Sequence, residues 1–134
     1  MALSSMKKFD NFSKALDNLR LVRVLNEPYD VLTLTGSAAL FEICFEQAWK
    51  AMKEILQEHG YNEGQTGSPK QILKLAYSAG MIQDEEKWLA MLVSRNDVTH
   101  SYNEEIALAL VRRVKEDYID LLDELKAEME TRWL

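Results

Sequence analysis

Leu40-Phe41-Glu42-Ile43-Cys44-Phe45 opens an apolar series that continues through Ala48, Trp49, Met52, Ile55 and Leu56. Steps of one, three and four residues suit a helix and break the period-two alternation of a half-buried strand. The surface they make is wider than one stripe. Such a helix is either central in a bundle or covered on a second face by a partner, with Phe45, Trp49 and Met52 as the candidate seam. We expect it to start between Asp30 and Gly36 and to run to about His59.

Working outward, Phe9, Phe12, Leu16, Leu19 and Val22 recur at threes and fours. They predict a first helix from about Ser5, ended by Asn26-Glu27-Pro28, because the residue before proline disfavours the α region. Residues 60–67 hold three glycines and read as a loop. Ser68-Pro69-Lys70-Gln71 opens a third helix, with Ser68 as N-cap, Pro69 at the first helical position and Gln71 completing a capping box. Gly80 is its stop signal. Asp84 caps a short fourth helix that fades around Arg95, and Trp88, Met91 and Leu92 form its inner face. Ser101-Tyr102-Asn103-Glu104 fits another capping box. It starts a last helix, to about Arg132, in which Ile106, Leu110, Val114, Tyr118, Leu121, Leu125 and Met129 share a face. The expected fold is all-α: an antiparallel up-and-down bundle of three long and two short helices in one domain, residues 1–134.

The bulk numbers agree. A chain of 134 residues, 47% hydrophobic and 28% charged, can bury a core without disulfides or metals. The single cysteine, Cys44, lies in the apolar run and reads as a core residue. No apolar stretch approaches the ~20 residues of a membrane span, and the N-terminus lacks the core of a signal peptide, so we expect a cytoplasmic protein. The net charge of −6 excludes a broad electrostatic footprint for nucleic acid. Contact with RNA would have to be local. Arg112, Arg113 and Lys115 alternate with acidic residues and read mainly as a solvated helix face. No glycine-rich phosphate loop, dinucleotide fingerprint or metal-ligand spacing is present, and we expect no cofactor and no metal.

The chemistry-bearing residues cluster in Arg95-Asn96-Asp97-Val98-Thr99-His100-Ser101-Tyr102. Five helical steps leave Arg95 and His100 about 140° apart, so they converge only if the helix breaks between them. Asn96 to Thr99 is poor helix material and suggests such a break. A His can take a proton from a 2′-hydroxyl or protonate a leaving oxygen, an Arg can hold a phosphate bidentately, and an Asn can orient either. One His cannot easily be both acid and base; two copies of the cluster face to face would supply both. By spacing alone, the structural reading is the stronger one: Arg95 satisfying a helix C-terminus or paired with Asp97 or Glu104, His100 a loop residue or a cap, Tyr102 packed.

Taken with Thr66-Gly67-Ser68-Pro69-Lys70, Gly80-Met81-Ile82 and Trp88-Leu89, the stretch Arg95 to Glu105 strongly resembles the nucleotidyltransferase substrate-binding family of HEPN proteins. That resemblance implies a helical bundle that forms a homodimer with Arg-x4-6-His motifs facing each other, and in many members a metal-independent ribonuclease. It carries catalytic roles to Arg95, Asn96 and His100. It also makes Tyr102 the target of adenylylation by a cognate minimal nucleotidyltransferase, bound in a heterotetramer or larger complex. Two readings follow. One is an RNA-cleaving toxin silenced by that antitoxin; the other is a non-catalytic subunit that binds substrate for the nucleotidyltransferase.

Overall fold

The computed structural model describes residues 3–61 and 67–134, with side chains from Lys7 onward; most of the predicted glycine-rich loop lies outside the described residues. Helix α1 (Leu3–Arg20) passes into a 3-10 turn, Leu21–Val24. Asp30 caps α2 (Val31–Glu58), its carboxylate accepting from the Thr33 N–H at 2.7 Å. That bond holds the Asp30 carboxyl below its ordinary pKa. Ser68 caps α3 (Pro69–Ser78) with the full predicted box: Ser68 Oγ accepts from the Gln71 N–H, and Gln71 Oε1 from the Ser68 N–H. Gly80 then takes φ +84°, a conformation that suits glycine at a helix exit. Among the described residues there is no strand.

Two boundaries differ from the sequence reading. Helix α4 (Glu85–His100) does not fade at Arg95. Weak local propensity is overridden by packing: Val98 is buried in the core, while Arg95 and Thr99 are tied to α2. Ser101 is the C-cap of that helix, its N–H donating to the Asp97 carbonyl. The cap of α5 (Glu104–Arg113) is therefore Asn103, whose Oδ1 accepts from the Ile106 N–H at 2.8 Å. From α5 the chain runs through a π turn (Val114–Tyr118) into α6 (Ile119–Glu128) and ends in a second π turn, Met129–Trp133. The predicted last helix is thus one rod with two widened turns.

Helix α2 sits at the centre, packed by α1, α3, α4 and α5. Its inner face, including Phe41, Cys44, Phe45, Met52, Ile55 and Leu56, is fully or almost fully buried. Most of the broad apolar surface therefore belongs to the bundle, while Ile43 stays 54% exposed. Phe45 and Met52 are not a dimer seam, and Trp49 is half-buried. The rings of Trp88, Phe45, Phe41 and Tyr118 touch in sequence, the last pair stacked at 5.5 Å. Burial pushes the Cys44 thiol up to about 12. At the C-terminus Trp133 is not exposed: it packs on His59 and Tyr61, and its indole donates to Glu128. Arg112 pairs with Glu27, Arg113 donates to Ser94, and Lys115 reaches the Leu25 carbonyl. This basic knot is spent largely inside the chain.

Candidate functional site

Helices α2 and α4 run antiparallel and are joined along one polar seam. Tyr102 Oη and Thr35 Oγ1 share a hydrogen bond of 2.8 Å. Thr99 Oγ1 donates to Glu42 Oε2, also at 2.8 Å. Arg95 faces Glu46, with its guanidinium 3.7 Å from Oε2. As the numbers rise on α2 (35, 42, 46) they fall along α4 and the residues just past its end (102, 99, 95). The spacing explains the match: Arg95 and Thr99 are four apart on one helix, Glu42 and Glu46 four apart on the other, so each pair shares a face.

Glu46 is the junction of this seam. Its Oε2 also accepts from the Trp49 indole N–H at 3.0 Å, and its Oε1 lies 3.5 Å from Lys50 Nζ. The sequence reading missed Glu46, Glu42, Thr35 and Thr99, and considered Asp97 or Glu104 as the partner of Arg95. The usable signal was the matched four-residue spacing of the two pairs.

Arg95 is held loosely in charge terms and firmly in shape. Its guanidinium carbon lies 5.8 Å from the Phe45 ring centre, within cation–π range. Its Nε is buried and meets no acceptor among the described residues. Its one ionic contact is longer than a charge-assisted hydrogen bond. Such a guanidinium has donors to spare for an anion.

The unbroken helix separates Arg95 from His100 by the 140° that five steps impose. The structure therefore does not bring them together by a bend, contrary to the expectation of a break. Asn96 and His100, four residues apart, share the neighbouring face; His100 is exposed and Asn96 half-buried. Tyr102 lies beyond the helix end and is 45% exposed. Outward of the seam, α2 exposes Leu32, Gly36, Ala39 and Ile43 at steps of four, three and four, and α4 exposes Val93 on the His100 face. A Cβ at Gly36 would meet nothing within 4 Å, so this face lies open. No group of three or more His, Cys, Asp or Glu side chains among the described residues could hold a metal ion, and no helix there is long and apolar enough to cross a membrane.

Residues 7–131 match the family described as nucleotidyltransferase substrate binding protein like. A curated relative, the probable ribonuclease HepT of Haemophilus influenzae, is 33% identical over 98 residues, covering 69% of this chain and 67% of that protein. A solved protein from Thermus thermophilus superposes with a TM-score of 0.76 at 32% identity, over 88% of this chain and 98% of its own. A Haemophilus influenzae structure, described as revealing the fold of a substrate binding domain of a nucleotidyltransferase, superposes at 0.67 with 23% identity, over 96% and 98% of the two chains. The last likeness speaks to fold alone. With nearly the whole length matched, the chain belongs to the nucleotidyltransferase substrate binding protein-like family of HEPN proteins.

Proposed function

We propose that this protein is a toxin-type, metal-independent endoribonuclease, neutralised by a cognate minimal nucleotidyltransferase that binds it and adenylylates Tyr102. The observation that carries the reading is the last turns of α4: an exposed His100 with Asn96 on its face, and an under-coordinated, mostly buried Arg95 on a neighbouring face. The relationship to a probable ribonuclease supports it.

In this mechanism one His100 removes the proton of an RNA 2′-hydroxyl. The freed oxygen attacks phosphorus, the bond from phosphorus to the 5′-oxygen breaks, and a second imidazole returns a proton to that oxygen. The product is a cyclic phosphate. Arg95 offers parallel N–H donors to the charge that grows on the phosphoryl oxygens. Asn96, four residues before His100, orients the imidazole or the substrate. Because Arg95 and His100 of one chain diverge, both work on one phosphate only if a second copy faces the first. The open stripe of Leu32, Ala39 and Ile43 with Val93 beside the His100 face supports a homodimer across this surface.

Silencing would follow from attack of Tyr102 Oη on the α-phosphorus of ATP, with pyrophosphate leaving and the phenol proton passing to a base of the partner. The product carries a bulky anionic diester two residues from His100, where it repels the RNA backbone. Expression of the chain alone and with its nucleotidyltransferase neighbour tests this. Solo expression should arrest growth, His100→Ala should relieve the arrest and lower RNA cleavage about 10²–10⁴-fold, and co-expression should add adenylyl mass at Tyr102. Undiminished cleavage by His100→Ala would sink the mechanism.

The second reading is a non-catalytic subunit that binds substrate for the nucleotidyltransferase. The net charge of −6 and the family's description favour it. It requires an RNA-inert chain and a partner whose transfer activity falls when this chain is withheld.

A further inference from the structure

The seam between α2 and α4 does not end at Glu46. On α2, residues 42, 46, 49, 53 and 57 follow one another at steps of four, three, four and four, so they form one stripe. Past Glu46 this stripe meets α1 and borders a groove of about 400 Å³ lined by Lys8, Trp49, Lys50, Lys53, Glu54 and Gln57. Three ammonium groups and one carboxylate line it, in a chain that is acidic as a whole. Lys50 leans on Glu46, but Lys8 and Lys53 have no ion-pair partner among the described residues. Trp49 is half-buried, with its indole N–H fixed on Glu46.

We propose that this groove is a subsite for single-stranded RNA, receiving the strand that flanks the phosphodiester at Arg95. The inference rests on the RNA reading above and supplies the local track that the net charge otherwise denies. Its parts match what a single strand needs: cations for successive phosphates, and an indole ring, tethered by its N–H, on which a base can stack. Continuity with the candidate site is direct. One carboxylate, Glu46, contacts Arg95 from one side and Trp49 and Lys50 from the other. Lys53 is seven residues beyond Glu46, about 10 Å along the helix. A strand held there passes one carboxylate, Glu46, which is already shared with Arg95, Trp49 and Lys50, before it reaches Arg95. Glu54 on the groove wall disfavours tight binding of a bare phosphate and leaves stacking as a necessary part of recognition.

The test measures binding apart from cleavage. The full chain carrying His100→Ala is titrated with a short labelled single-stranded RNA, followed by anisotropy across a range of salt. Adding Lys8→Ala and Lys53→Ala should raise Kd about tenfold at low salt. It should also flatten the plot of log affinity against log salt by about 1.4, or 0.7 for each lost phosphate contact. Trp49→Ala should weaken binding about tenfold, and Trp49→Phe should keep most of it, because a ring face remains. Thermal unfolding of the lysine variant, whose changes are confined to the groove wall, checks that it remains folded. An unchanged Kd and salt slope in the lysine variant overturns the proposal. So does a polyglutamate peptide that competes as well as RNA, since the groove would then be a plain cation patch for an acidic protein. If the parent protein cuts no RNA yet binds it through these lysines, the cleavage reading falls and the groove stands. If RNA is cut and bound equally well without them, the groove alone falls.

Discussion

Replacing Glu46 by Gln should move stability and RNA binding in opposite directions. Gln keeps the length of the side chain and an oxygen that can still accept from the Trp49 indole. It removes the charge facing Arg95 at 3.7 Å and Lys50 at 3.5 Å. At 3.7 Å the Coulomb attraction is about 4.5 kcal/mol for an effective dielectric of 20 and about 1 kcal/mol in water. The Arg95 and Glu46 side chains are 20% and 37% exposed, and the contact is too long for a charge-assisted hydrogen bond, so the lower figure governs. The folded chain should therefore lose about 1 kcal/mol, or about 4 °C in Tm for a chain of this length. In the proposed site the same carboxylate competes with phosphate for Arg95. Removing it should tighten RNA binding to the His100→Ala chain by about fivefold at low salt, the equivalent of about 1 kcal/mol. Differential scanning calorimetry and anisotropy titration read the two effects on one sample. A loss of stability with no gain in RNA affinity would refute the assignment of Arg95 as the phosphate donor.

In the face-to-face homodimer, with one His100 acting as base and the other as acid, mixing wild-type and His100→Ala chains after subunit exchange should lower cleavage as the square of the wild-type fraction. At equal mixing about one quarter of the activity should remain; a linear fall to one half would show that each chain works alone. Tyr118→Phe should cost about 1 kcal/mol, because it removes the buried 2.7 Å bond to Ser94 Oγ while Arg113 still donates to that oxygen and the ring keeps its stack on Phe41. Chemical denaturation gives that difference directly. The Cys44 thiol, pushed up to about 12 by burial, is almost wholly protonated at pH 8 and shielded by the core, so a thiol reagent should label it only as fast as the chain opens. Labelling as rapid as that of an unfolded control would contradict its placement in the core.

What could be read in the sequence was local. The capping box at Ser68, Pro69 and Gln71 is written within four residues and appears as predicted. The inward periodicity of α1, from Phe9 to Val22, and the burial of Cys44 also follow from short-range spacing. The end of α4 was illegible for the complementary reason. Asn96 to Thr99 disfavours helix by propensity, and what holds it is Val98 in the core and two contacts to residues about fifty positions away. The same limit hid half of the candidate site. Arg95, Asn96, His100 and Tyr102 stand out because they are neighbours in the chain. Glu46 and Thr35 look like ordinary residues of a solvated helix face until the fold sets them opposite Arg95 and Tyr102. Apolar pattern alone also could not separate Phe45, fully buried, from Ile43, 54% exposed two residues earlier.

Net charge is the sequence feature whose meaning the fold changes most. A value of −6 argues against a broad RNA surface, but charge acts over a Debye length of about 8 Å at physiological salt. Much of the acidic excess lies on the last rod and is engaged there. Asp117 meets Lys87, Asp120 meets Arg23, Asp123 meets Arg20, and Glu128 meets Arg132. The groove lysines lie on α1 and α2, and the carboxylate nearest to Arg95 is shared among three donors. A phosphate arriving at Arg95 therefore meets a local balance that the total does not describe. On the proposed reading the contact is short: few phosphates held, a shallow salt slope, and affinity that depends on one stacked base and one well-placed guanidinium. On that reading the chain should grip a single exposed loop or strand end and bind poorly along a duplex, which titration with matched single-stranded and duplex RNA would check.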